Sequence, residues 1–322
     1  MLSRTADDLF WMCRHMERAE NMARMLDVSL QMSLLPQDAD TRARSWRAVM
    51  RISELQSLFE QRYPDGTARD VLRFMVRDAD NPSSIYACLR AARENARAVR
   101  GSLTTEVWET YNSTWLELLR HLRLDLPERN PGEFFEWVKF RSHVARGVAL
   151  GTMFEDEAMC FMRLGTHLER ADNTARMLDV KFHEYEDGEA VRTDAGQAAP
   201  PPNEFYRWAA ILGSVSALEI YRKVYRDAIT ADRVAELLIL HADMPRSLLS
   251  SIQAVTSNLE MIANARSAET ERRAGMLCAE LRYGKIESIM ASGLHRFLQR
   301  FLERVNDLGN RISQDFLLPL SV

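Results

Sequence analysis

His15-Met16-Glu17-Arg18-Ala19-Glu20-Asn21-Met22-Ala23-Arg24-Met25-Leu26-Asp27-Val28 recurs 152 residues later as His167-Leu168-Glu169-Arg170-Ala171-Asp172-Asn173-Thr174-Ala175-Arg176-Met177-Leu178-Asp179-Val180. Eleven of the fourteen positions are identical, and Met16/Leu168 and Glu20/Asp172 keep their character. The match continues outward. Trp46 aligns with Trp208, Thr67-Ala68-x-x-Val71 with Thr230-Ala231-x-x-Val234, and Asn81-Pro82-Ser83-Ser84-Ile85 with Met244-Pro245-Arg246-Ser247-Leu248. The surplus that shifts the later offsets falls in 184–203, where Gly188, Gly196 and Pro200-Pro201-Pro202 cannot build a core. Such a stretch reads as a disordered or loop insertion. The sequence thus describes two diverged copies of one unit, 1–156 and 157–322, expected to form one compact body.

Apolar residues recur at three- and four-residue spacing, β-branched runs are absent and glycine is scarce. The expected fold is all-α: an internally duplicated bundle of about 12 helices with a pseudo-twofold repeat. The helices are expected near 4–33, 39–62, 67–79, 82–100, 104–122, 132–155, 157–183, 204–226, 230–241, 245–264, 267–284 and 287–316. Start signals support several of these. Asn130-Pro131-Gly132-Glu133 joins an N-cap to a first-turn proline, Thr67-x-x-Asp70 resembles a capping box, and Pro82 and Pro245 mark two further starts.

Advancing 100° per residue sorts the first motif helix into faces. Cys13, Glu17, Asn21 and Arg24 share one side, while Trp11, Met12, Ala19, Met22 and Leu26 form the opposite, core-facing stripe. Arg18 and His15 border the apolar side. A guanidinium aimed at a methionine-rich interior needs a carboxylate, because an unpaired buried charge costs several kcal/mol. The second copy repeats this with Glu169, Asn173 and Arg176 on one face and Arg170 beside the apolar stripe. The eight residues Glu17, Arg18, Asn21, Arg24, Glu169, Arg170, Asn173 and Arg176 are therefore the candidate polar centre. Two accounts stay open: a ligand-binding cleft, or an ion-pair core that only fixes how the halves pack. Arg93, Arg97 and Arg246 are secondary candidates for clamping an anion.

Composition excludes several classes. The net charge of −4 argues against a generic nucleic-acid binder. No apolar run approaches a membrane span, and residues 1–8 lack the pattern of a signal peptide. Cys13, Cys88, Cys160 and Cys278 stand far apart without a CxxC pair, which fits reduced thiols in the cytoplasm. Thirty-eight arginines against four lysines admit a coding bias or a demand for bidentate forks. HExxH, GxSxG, Walker A and GxGxxG are absent, no Glu-x-x-His pair occurs, and the seven histidines are scattered. Neither a metal nor a cofactor is expected.

Phe10-Trp11 with the first motif, Gly165-Thr166 with the second, Arg93-Glu94-Asn95-Ala96-Arg97 and Pro245-Arg246-Ser247 together resemble the bacterial alpha-E family over essentially the whole chain. That resemblance implies an all-helical protein whose Glu-Arg motif corresponds to Glu17-Arg18 and Glu169-Arg170. It implies partnership with ATP-grasp ligases and transglutaminase-like proteins in systems thought to make or tag short peptides. It supplies no reaction. The leading expectation is a non-catalytic partner or substrate-holding subunit of such a ligase, with homo-oligomerisation possible. The alternatives are an enzyme acting on a peptide or amino-acid derivative in a Glu/Arg-lined cleft, with Glu17 or Glu169 as general base, and a purely structural ion-pair core.

Overall fold

The computed structural model describes residues 1–34, 39–64, 66–188 and 204–317. Among them are sixteen α-helices and no strand. In order these are α1 (Ser3–Ser33), α2 (Ala39–Ile52), α3 (Gln56–Arg62), α4 (Ala68–Arg77), α5 (Ile85–Ala98), α6 (Thr105–Arg123), α7 (Leu126–Arg129), α8 (Pro131–Thr152), α9 (Glu157–Gly188), α10 (Glu204–Ser214), α11 (Leu218–Tyr225), α12 (Ala231–Leu240), α13 (Leu248–Met261), α14 (Ala268–Tyr283), α15 (Ile286–Ser292) and α16 (Leu294–Ile312). None of the described helices is long and apolar enough to cross a membrane. Of the insertion expected at 184–203, residues 184–188 instead continue α9, and 189–203 lie outside the described residues.

The excess over twelve helices has a local cause. Three expected helices are each broken once, and α7 is additional. The breaks fall at Glu54, Ser216 and Gly293, and α7 follows Asp125; all four residues have positive φ. At Glu54 the chain closes α2 with Glu54 N–H to Arg51 C=O and Leu55 N–H to Met50 C=O. Ser216 and Ala217 make the same pair of bonds to Gly213 and Leu212. This is the Schellman arrangement, which usually places glycine at the left-handed position. With Glu and Ser there instead, no glycine marks the helix end in the sequence.

Two starts also move. α5 and α13 begin at Ile85 and Leu248, beyond the prolines, because the caps are Ser84 and Ser247. Each hydroxyl accepts from a backbone N–H three residues on, and donates to the carbonyl of Asp78 or His241 respectively. Arg246 therefore precedes a helix instead of lying in its first turn. The Thr67–Asp70 capping box and the Asn130 cap are both formed.

Helices α1, α5, α6 and α8 contact one another in a closed ring, as do α9, α13, α14 and α16. The rings meet along α1 and α9, and α10 packs on α1 while α2 packs on α9. Every residue of α1 from Met16 to Asp27 except Arg18 is buried. The expected single apolar stripe is thus half of the picture: the polar face of α1 is covered as well, by α8, α9 and the turn before α13. The helices cross closely at Gly165, where a Cβ would stand 2.1 Å from the Phe10 carbonyl oxygen.

This contact predicts that Gly165→Ala destabilises the fold by ~2–3 kcal/mol, because backbone cannot yield as a side chain can. Gly147→Ala, with nothing within 4 Å of the added carbon, is expected to be neutral or stabilising. Urea unfolding of the two variants tests the pair.

Candidate functional site

The motif helices exchange their Glu–Arg pairs. Arg170 donates from Nε and Nη2 to the two oxygens of Glu17, each at 3.0 Å. Arg18 donates from Nε and Nη2 to the two oxygens of Glu169, at 2.5 and 2.9 Å. Both are bidentate forks, a geometry that lysine cannot supply. Positions 17 and 18 project about 100° apart on a helix. The structure accordingly divides the four residues between two clusters, where one shared centre was expected.

The first cluster is the larger. Glu17 also accepts from Arg246 Nη1 at 2.8 Å and Arg146 Nη1 at 2.9 Å. Glu20 accepts from Arg24 Nε at 2.9 Å, Arg246 Nη2 and Arg146 Nη1 at 2.5 Å each, and Ser142 Oγ at 2.7 Å. Asn21 Oδ1 accepts a second bond from Arg246 Nη1, at 2.8 Å, and Arg24 reaches Ser216. Glu17 and Glu20 are 1% and 0% exposed. The second cluster holds Glu169 between Arg18 and Arg14 Nε, the latter at 2.9 Å. Arg18 keeps a quarter of its side chain exposed (24%).

The remaining candidates scatter. Arg176 forks to Asp172 one turn back and to Glu54. Asn173 makes only a long contact to Met25 Sδ, at 4.0 Å. Arg93 and Arg97 pair with Glu94, and Arg97 is 64% exposed, so these two lie outside either cluster. Arg246 belongs to the core of the first. Sequence reasoning missed Arg146, Arg14 and Ser142. The one available signal for Arg146 was the run of small residues Ser142, Ala145 and Ala149 on α8, which lets that helix approach α1 and brings the intervening arginine with it.

The electrostatics leave little acid–base capacity. Burial raises Glu17, but Arg170, Arg246 and Arg146 outweigh it and hold the carboxyl at about 2. Glu169 is likewise brought to about 2 by Arg18 and Arg14 against burial. Burial, with Arg246 and Arg146 opposing and winning, leaves Glu20 well below the carboxylate range. His15 and His167 are lowered to about 4 and about 3, chiefly by burial and then by Arg18 and Arg170. Burial pushes the Cys13 thiol up to about 12. Near neutrality the glutamates stay charged, and the histidines and the thiol stay neutral.

Beside the first cluster lies a cavity of about 210 Å³, partly open to solvent and lined by α1, α6, α8 and α9. Met16, Met159, Met162, Ala145 and Ala149 give it an apolar wall, while Glu17, Arg146, Arg170, Tyr111 and His167 line its polar end. Among the described residues no group of three or more His, Cys, Asp or Glu side chains is placed to hold a metal ion.

A family model described as "a predicted alpha-helical domain with a conserved ER motif" matches residues 1–317. Uncharacterized proteins of Mycobacterium bovis and Mycobacterium tuberculosis are 24% identical over 330 residues, an alignment covering 94% of this chain and 35% of each relative. The chain therefore spans about a third of the length of the curated relatives it matches. No solved structure matches it.

Charge counting yields two predictions. Four arginines (Arg24, Arg146, Arg170, Arg246) share Glu17 and Glu20. Removing an anion is thus worse than removing a cation. Glu17→Gln is expected to cost ~3–5 kcal/mol in urea unfolding and Arg146→Met less, whereas Arg97→Ala changes stability by under ~0.5 kcal/mol.

The second prediction concerns pH. Histidines whose folded pKa is depressed from 6.5 stabilise fully above that value, and the stability is lost as pH falls through about 4 and 3. Glu17 and Glu169, depressed from 4.5, add stability that is full above 4.5 and lost as pH falls towards 2. Unfolding free energy is therefore expected to decline from pH 6.5 downward. A His15→Gln/His167→Gln variant should flatten the slope between 6.5 and 4.5, leaving the part due to His121 and His143, and keep the steeper fall below it.

Proposed function

The chain belongs to the alpha-E family, and from that premise we propose that it is a non-catalytic helical module that holds a substrate for an ATP-grasp-type peptide or amide ligase. The observation that carries this is the chemical inertness of the polar site. A general base works best with a pKa near the working pH. Glu17 and Glu169 sit at about 2, His167 at about 3 and the Cys13 thiol at about 12. At pH 7 the carboxylates and the imidazole are only weak bases and the thiol stays protonated, so the reading of Glu17 or Glu169 as a catalytic base loses support. What the site offers is fixed charge beside a cavity, which suits binding.

Partnership has separate support. In the mycobacterial relatives about two-thirds of the polypeptide lies outside the match, as for a unit that works joined to others. We take the ligase and transglutaminase-like proteins as the partners, and the cytoplasm as the compartment. The four free, buried cysteines fit the latter.

We also propose that the two halves derive from one unit and are related by a pseudo-twofold axis between α1 and α9. The paired rings, the reciprocal Glu–Arg forks and the equivalent turns at Glu54 and Ser216 favour this. The halves have diverged where it matters for binding: Arg246 occupies the position of Ser83, and the cluster beside the cavity has gained two arginines from outside the motif.

The purified protein alone is expected neither to hydrolyse ATP nor to turn over peptides, and to stimulate ATP-dependent ligation when the ligase encoded nearby is added. Its association with that ligase should weaken as salt is raised from about 0.05 to 0.5 M, if exposed arginines such as Arg97 dock it. Robust turnover of nucleotide or peptide by the isolated chain would overturn the proposal.

A further inference from the structure

We propose that the cavity between α1, α6, α8 and α9 binds a small carboxylate bearing a short apolar tail. This rests on the substrate-holding reading above and names the class of ligand held.

The first support is a charge imbalance. Among the described residues, four arginines in the first cluster are met by two carboxylates, an excess of two positive charges. Arg24, Arg170 and Arg246 are each under 9% exposed. Buried charge of one sign in such excess is costly, and an anion brought beside it relieves the cost. Glu17, Arg146 and Arg170 are the members of the cluster that reach the cavity, so the cluster presents two guanidiniums and one carboxylate there. His143 beside Arg146 does not absorb the imbalance, since it can only add positive charge.

The second support is a pair of neutral donors on the cavity lining. Tyr111 presents its hydroxyl in the same space, 3.7 Å from the Cys13 sulfur, and burial keeps both groups protonated. They are neutral donors for an anion's oxygens. The guanidiniums supply mainly field, because Arg170 already spends three of its five N–H donors on Glu17 and the Pro245 carbonyl.

The third support is the opposite wall. Three methionines and two alanines offer an apolar surface without hydrogen-bonding groups, which suits an alkyl chain and not the outer oxygens of a phosphate. The volume, about that of seven water molecules in the liquid, suits a compact acid. A free short-chain acid and an amino acid share this chemistry.

The test uses the full chain in titration calorimetry with 4-methylpentanoate, its neutral isostere 4-methylpentanamide, leucine and inorganic phosphate. The expected result is saturable binding of 4-methylpentanoate, with the amide and phosphate each weaker by about tenfold or more. Leucine binding as well as the acid assigns the site to amino acids; weaker leucine binding assigns it to free acids. Ala149→Phe, which fills the cavity, and Leu150→Trp at its rim are both made, so that one folded variant suffices. Each is expected to weaken the acid by about tenfold or more with melting unchanged or raised. No saturation by about 10 mM, equal binding of amide or phosphate, or a folded variant that binds like wild type would overturn the assignment. Association with the ligase is measured on the same variants. If it persists while carboxylate binding is absent, the ligand assignment fails and the partner role stands; if it is absent while carboxylate binds, the reverse holds.

Discussion

The exchange of guanidinium forks between α1 and α9 is the contact on which the rest of the architecture depends. A charge can be buried at a helix crossing only if its opposite arrives from the other helix at a fixed distance and angle. Arg18 on Glu169 and Arg170 on Glu17 impose both. The approach they require is closer than side chains normally permit, and Gly165 against the Phe10 carbonyl provides it. Once the two helices are locked, the other members of each ring take positions defined by α1 or α9, and α2 and α10 are carried onto the opposite helix.

Such a network is better understood as a device for specificity than as a source of stability. Apolar replacements of similar volume often equal or exceed a buried ion pair energetically, whereas loss of one partner is severe. A sliding or rotation of α9 on α1 by one residue would separate both forks together and leave Arg170 and Glu169 buried without their partners. A purely methionine and leucine seam would tolerate that slip, since methionine refits easily.

Much of this was legible in the sequence because periodicity and repetition are local signals. The helical class, the two motif helices and their Glu-Arg residues all follow from spacing. The breaks at Glu54 and Ser216 did not, because a left-handed residue without glycine has no compositional mark. The helical wheel marked the Glu17 side of α1 as a candidate polar centre but could not name what covers it, which is α8, α9 and the turn carrying Arg246. Arg246 stands out in the sequence only as a candidate anion clamp, because its partner Glu17 lies 229 positions away and no local rule connects them. Arg146 was invisible for the same reason, while Arg93 and Arg97, conspicuous together, pair with the glutamate between them.

The sequence distances within the first cluster also govern how the molecule can come into being. Glu17 is met by groups 129, 153 and 229 positions further along the chain. During synthesis, α1 therefore emerges with the two carboxylates of the cluster, Glu17 and Glu20, and a methionine-rich surface, and must wait for most of the polypeptide before either is covered. Contacts of such span are formed late and slow the search for the native state. Cleaving the chain between the rings would leave both halves with bare ionic seams, so the duplicated sequence does not imply two autonomous folding units. Association of separately made halves would be an encounter of complementary charges, and α1 would complete its packing only when residue 246 arrives.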